Sequence, residues 1–123
     1  MITGTDKSIN LLEKMLDVSA IKHKVIANNI ANVNTPGYKK MEVSFSDQLE
    51  KVIKDTSVDK FDALQPKIVI TGKDESVRND GNNVDMDKEI SALMKNTLSY
   101  SVFSQLFAKK MELVKTAIEN SRV

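Results

Sequence analysis

Two long stretches without glycine or proline, residues 5–35 and 82–123, bracket this 123-residue chain. The punctuation between them is Pro36-Gly37, Pro66, Gly72 and Gly81. Both stretches carry a helical repeat of apolar side chains. In the first, Ile9, Leu12, Leu16, Ser19, His23, Ile26, Ile30 and Val33 recur at alternating steps of three and four, flanked by Leu11, Met15, Val18 and Val25. In the second, Met86, Ile90, Leu93, Thr97, Tyr100, Ser104, Phe107, Met111, Val114 and Ile118 form a heptad series. The spacing predicts one helix over about 6–34 and another over 85–120, with Asp85 or Asp87 as N-cap and Glu89 at the positive end of the dipole. At ~1.5 Å per residue these helices are roughly 40 and 54 Å long. A compact domain of this size has a radius of gyration near ~13 Å. The expected fold is therefore mainly α: two long terminal helices paired as an elongated coiled coil. Two helices leave part of each broad stripe bare, so copies or relatives of the chain are expected to cover it.

The middle is shorter and irregular. Ser44 is a candidate cap for a short helix over "FSDQLEKVIKD", with Phe45, Leu49 and Val52 on one face. The β-branched "PKIVIT", Pro66 to Thr71, reads as a short strand. "GKDESVRNDGNN" reads as loop, with Asp80-Gly81 as a turn able to close a hairpin. The expected organisation is 1–38, 39–84 and 85–123, the first and last parts together forming one helical domain.

Chemistry finds little to work with. Cysteine is absent and histidine occurs once. His23 lies in the apolar row between two lysines and reads as a core or interface residue, since a catalytic base needs a constellation around it. "DGNNVDMD" has alternating oxygen ligands, but counted from Asp80 its sixth position is Asp85 and its twelfth Ser91, unlike a calcium loop. No two glycines are close enough to cradle a phosphate. No catalytic residue, cofactor or metal site is expected. Eighteen basic residues against 17 acidic ones give a formal charge of +1, which argues against nucleic acid as partner. No run approaches the ~20 apolar residues of a membrane span, so direct membrane insertion is not expected. The opening "MITGTDKSIN" has no charged segment leading into an apolar one, so no cleaved secretory signal is expected.

The densest local signal is "ANNIANVNTPGYKK", Ala27 to Lys40, with Asn28, Asn29, Asn32 and Asn34 ahead of Thr35-Pro36-Gly37-Tyr38. Asparagine is a mediocre helix former because its amide competes with the backbone. Pro36 disfavours helix at the residue before it, and Pro36-Gly37 suits the centre of a type II turn. The stretch resembles the N-terminal signature of the bacterial flagellar axial proteins, the rod and hook family. Asp80 to Ile118 resembles the C-terminal end of that family. Only about 45 residues separate the terminal helices, which resembles the short proximal-rod members rather than relatives with large inserted domains.

The resemblance implies a structural subunit that stacks helically into a hollow rod crossing the periplasm, the drive shaft and export channel of the flagellum. Its terminal helices would line the tube with the middle outside. It implies as partners copies of the chain, other rod subunits, the protein joining the rod to the membrane ring, and the flagellar type III export apparatus, which needs no cleaved signal.

The expected assembly interface joins Ile9, Leu12, Leu16, Ile26 and Ile30 to Ile90, Leu93, Phe107, Met111, Val114 and Ile118. Asn28, Asn29, Asn32, Asn34, Pro36, Gly37 and Tyr38 are expected to dock between subunits. On that reading, Asn29→Leu or Gly37→Val leaves the helix content of the monomer nearly unchanged and impairs assembly, whereas Leu93→Asp or Phe107→Asp blocks assembly. The monomer itself would be partly disordered at its ends. A second class fits the same stripes: a cytosolic helical adaptor or secretion chaperone that cages an amphipathic partner helix.

Overall fold

A computed structural model of the chain describes residues 3–54, 63–72 and 78–122. The elements are α1 (Thr3–Ala31), β1 (Met41–Ser44), α2 (Ser46–Lys54), β2 (Lys67–Ile70) and α3 (Met86–Asn120). The expected loop at 73–77 and the end of the "FSDQLEKVIKD" segment at Asp55 lie outside the described residues.

α3 begins where its cap signal lies: the Asp85 carboxylate accepts from the backbone N–H groups of Asp87 and Lys88. α1 stops at Ala31, three residues short of the expected end. The reason is amide competition. The Asn32 side chain donates to the Asn28 carbonyl at 2.8 Å, where the backbone N–H of Asn32 also bonds. The chain then tightens into turns, Val33 N–H to Ile30 and Thr35 N–H to Asn32. The Tyr38 N–H closes on the Thr35 carbonyl, and Gly37 has φ +71°, as the third residue of a type II turn requires.

Two expectations about the middle are corrected. Ser44 does not cap α2: it ends β1, paired with Lys67, and the Phe45 carbonyl accepts the first helical bond from Leu49. Asp80-Gly81 does not close the hairpin either. The antiparallel pair is β1 with β2, Met41 opposite Ile70 and Val43 opposite Ile68, and Asp80-Gly81 instead stacks on the Pro36-Gly37 turn. A compact apolar cluster of Val18, Phe45, Val52 and Leu64, joined by Met15, Val43 and Leu49, fastens β1 and α2 to the middle of α1. Each fully buried aliphatic or phenyl side chain there contributes about 1.5–3 kcal/mol.

α1 and α3 run antiparallel: Asn29 meets Glu89, and Ser19, earlier on α1, meets Asn96, later on α3. The face that α3 turns inward differs from the expected one. Its buried residues are Glu89 and Asn96, one heptad apart, followed by half-buried Phe103 and Lys110. Leu93, Phe107 and Val114 of the expected row are half-buried, but Ile90, Met111 and Ile118 are exposed. The polar side chains at 89 and 96 find partners on α1, the Asn29 amide and the Ser19 carbonyl, which favours this rotation. His23, expected in a core or interface row, is exposed on α1.

Candidate functional site

Where α1 ends and α3 begins, five amides and a tyrosine form one hydrogen-bonded knot. At its centre Asn29 is only 1% exposed. Its Nδ2 donates to the Met41 carbonyl at 2.8 Å and to Glu89 Oε2 at 3.2 Å. Its Oδ1 accepts from the Met41 N–H and from the Tyr38 hydroxyl, both at 2.9 Å. An asparagine amide offers two N–H groups and two lone pairs, so all four capacities are used. The side chain bonds both backbone groups of Met41, as a neighbouring strand would, on the edge of β1 away from β2. Within the single chain nothing of this amide is left over for the neighbouring subunit it is expected to serve.

Asn28 donates to the Tyr38 hydroxyl, and Asn32 Oδ1 accepts from the Thr35 hydroxyl. Asn82, fully buried, has Nδ2 within 2.9–3.1 Å of the carbonyls of Asn32, Val33 and Thr35, while its Oδ1 accepts from the Val84 N–H. It thus caps the helix end from fifty residues away in sequence, reaching carbonyls that have no helical donor. Asn83 accepts from the Lys40 N–H and donates to the carbonyls of Thr71 and Gly72, holding the end of the β pair. The Gly37 N–H donates to the Asp80 carbonyl at 2.8 Å. A Cβ on Gly81 would stand 3.6 Å from the Gly37 Cα, and both glycines have positive φ. Asn34, Pro36 and Gly37 are exposed, although Arg78 reaches the Asn34 side chain at 3.4 Å.

Glu89 also lies 3.6 Å from the Lys40 ammonium, which pairs with Glu42 at 2.9 Å. Burial pulls the Lys40 pKa down, but the Glu42 and Glu89 carboxylates outweigh it and leave it above the usual 10.5. Burial raises the Tyr38 phenol above 10.0; the Asn28 bond opposes this and Glu89 adds to it. Both folded pKa values exceed the unfolded ones, so both contributions are complete below the unfolded pKa and vanish as pH rises through the folded one. The thermal midpoint should therefore fall above pH ~10, and circular dichroism melts should show a shallower alkaline loss for Lys40→Met.

The other prominent surface is on α3. Ile90, Met94, Leu98, Val102, Leu106 and Leu113 are all exposed, as are Met111 and Ile118 towards its end. Such a run exceeds the scattered apolar residues of an ordinary surface. On α1, Ile26 is buried and Ile9, Leu12, Leu16 and Ile30 are half-buried. Sequence reasoning gave Glu89 only a place at the helix dipole, and it overlooked the parts played by Asn82, Asn83 and Asn96. The available signal was an amide pair placed just before the cap of α3, in a chain whose other helix ends in carbonyls without helical donors.

Residues 19–39, which hold the α1 half of the knot, match the family model described as flagella basal body rod protein. The flagellar basal body rod protein FlgB of Bacillus subtilis (strain 168) is 36% identical, over 99% of this chain and 98% of the relative. FlgB of Borrelia hermsii is 30% identical over 93% of this chain and 97% of its own length. FlgB of Escherichia coli (strain K12) is 29% identical over 83% and 86%.

Proposed function

The chain belongs to the FlgB family of flagellar basal body rod proteins, and we propose that it is a structural subunit of the proximal rod that assembles helically through its terminal helices. The observation that carries the assembly step is the bare aliphatic row of α3, from Ile90 to Leu113, which no described part of the chain covers. Burying apolar area at about 25 cal/mol per Å² favours association wherever neighbouring subunits present complementary faces. Stacked subunits would enclose the export channel and transmit torque as a drive shaft.

In this reading the partners are copies of the chain, the other rod subunits, the protein that joins the rod to the membrane ring, and the flagellar type III export apparatus. The subunit would lie in the periplasm-spanning rod and leave the cell interior without a cleaved signal. No described helix is long and apolar enough to cross a membrane. The knot has a mechanical part in this reading: it fixes the end of α1 against the start of α3, so that the helix pair is presented as one unit.

Deletion of the gene tests the proposal. Loss of swimming is expected, with basal bodies arrested before a complete rod in electron micrographs, and both restored by the intact gene. Normal swimming without the protein overturns the reading. Complete basal bodies in non-swimming cells would favour the adaptor reading over a rod subunit.

A further inference from the structure

Beside the knot, α1, the Asn29-facing edge of β1 and α3 border an open trough of about 430 Å³. Its lining runs from Met15 to Ile26 on α1 and from Lys88 to Phe103 on α3. At ~1.5 Å per residue these spans are roughly 16 and 22 Å, the length of three to four turns of a helix laid alongside. Its apolar floor is formed by Val18, Val25 and Ile26, each at most 9% exposed, and by half-buried Phe103, interrupted by the buried Ser19 and Asn96.

The charges around the trough are one-sided. Lys22, Lys40, Lys88 and Lys95 all line it, against the carboxylates of Glu42 and Glu89. Lys40 engages both of those carboxylates, and Glu89 also accepts from Asn29. Lys22, Lys88 and Lys95 have no carboxylate partner among the described residues. Lys88 and Lys95 are one heptad apart, so both stand on the same side of α3, with Lys22 across from them on α1.

We propose that this trough receives an amphipathic helix of a different protein, one whose aliphatic row is flanked by carboxylates. The apolar floor and parallel helical walls suit a helix-in-groove contact, and the three ammonium groups without a carboxylate partner among the described residues select acidic flanks. The bare row of a second copy does not meet that requirement, because α3 has no charged residue from Asn96 to Ala108. The inference stands on the trough alone and does not depend on assembly of the rod.

Fluorescence anisotropy with three labelled synthetic peptides and the purified full chain tests it. The first carries a leucine row flanked by glutamates, the second the same row flanked by lysines, and the third the glutamate composition scrambled to remove the row. The first should bind and the other two should not. Its affinity should fall at least about tenfold in Lys22→Glu/Lys95→Glu, and in the milder Lys88→Gln/Lys95→Gln should weaken less, with unchanged circular dichroism in both. The proposal is overturned if the glutamate peptide does not bind, if either control binds equally well, or if the charge-reversed variant binds it undiminished.

Discussion

Asn29→Leu is expected to lower the stability of the isolated chain by about 3–5 kcal/mol, more than most single substitutions. The leucine removes the partners of the Met41 N–H, the Met41 carbonyl and one Glu89 oxygen, in a site where Asn29 is 1% exposed. Each buried group left without a partner costs roughly 1–3 kcal/mol, and more when it is charged. Tyr38 fares better, because its hydroxyl keeps the Asn28 bond. Asn29→Asp separates shape from bonding. It preserves the outline and the acceptor, but it loses both donors and sets a second carboxylate beside Glu89, so it should also destabilise. Urea denaturation of the purified chain measures both. A loss below about 1 kcal/mol for Asn29→Leu would mean that the knot does not hold the helix ends together. The sequence alone suggests a different emphasis for Asn29→Leu: helix content nearly unchanged in the monomer, with impaired assembly.

How far the sequence can be read depends on whether a partner lies nearby along the chain. α3 is legible almost to the residue, because Asp85 caps it locally and its apolar rows persist over many turns. β2 is legible from Ile68-Val69-Ile70, but β1 is not. "MEVS" alternates weakly, and its edge away from β2 is satisfied at Met41 by the Asn29 amide, for which no strand signal exists. The knot is half legible. Its α1 side stands out as clustered asparagine, whereas its other side depends on bonds spanning up to 60 residues, which leave no period in the sequence. The rotation of α3 is hidden for a related reason. The row through Ile90 and the row through Glu89 are one residue apart and share the same heptad, and apolar content alone ranks the first higher. Partners on α1 favour the second: the Ser19 carbonyl accepts from Asn96, and the Asn29 amide donates to Glu89.

That rotation moves the decisive test of assembly. Leu93 and Phe107 are half-buried within the chain, so a charge at either should damage the fold and the assembly together. Leu98 and Met94 are 68% and 65% exposed on the outer row of α3. Leu98→Asp should change the stability of the isolated chain by less than about 1 kcal/mol, the difference in helix propensity plus a solvated charge.

In a packed rod the same carboxylate would be buried in a segment without a cation, since no charged residue lies between Asn96 and Ala108. An unpaired buried charge costs about 3–5 kcal/mol, which at ~1.4 kcal/mol per tenfold weakens each contact some hundred- to thousandfold or more. Subunits in a helical array repeat the contact, so the penalty recurs with every added copy. Cells carrying Leu98→Asp should therefore fail to swim while the purified variant melts like the parent, and Leu98→Ala should give a milder defect. Swimming retained with Leu98→Asp would move the assembly face off this row. A large drop in the melting temperature of the purified variant would show instead that Leu98 supports the fold of the single chain.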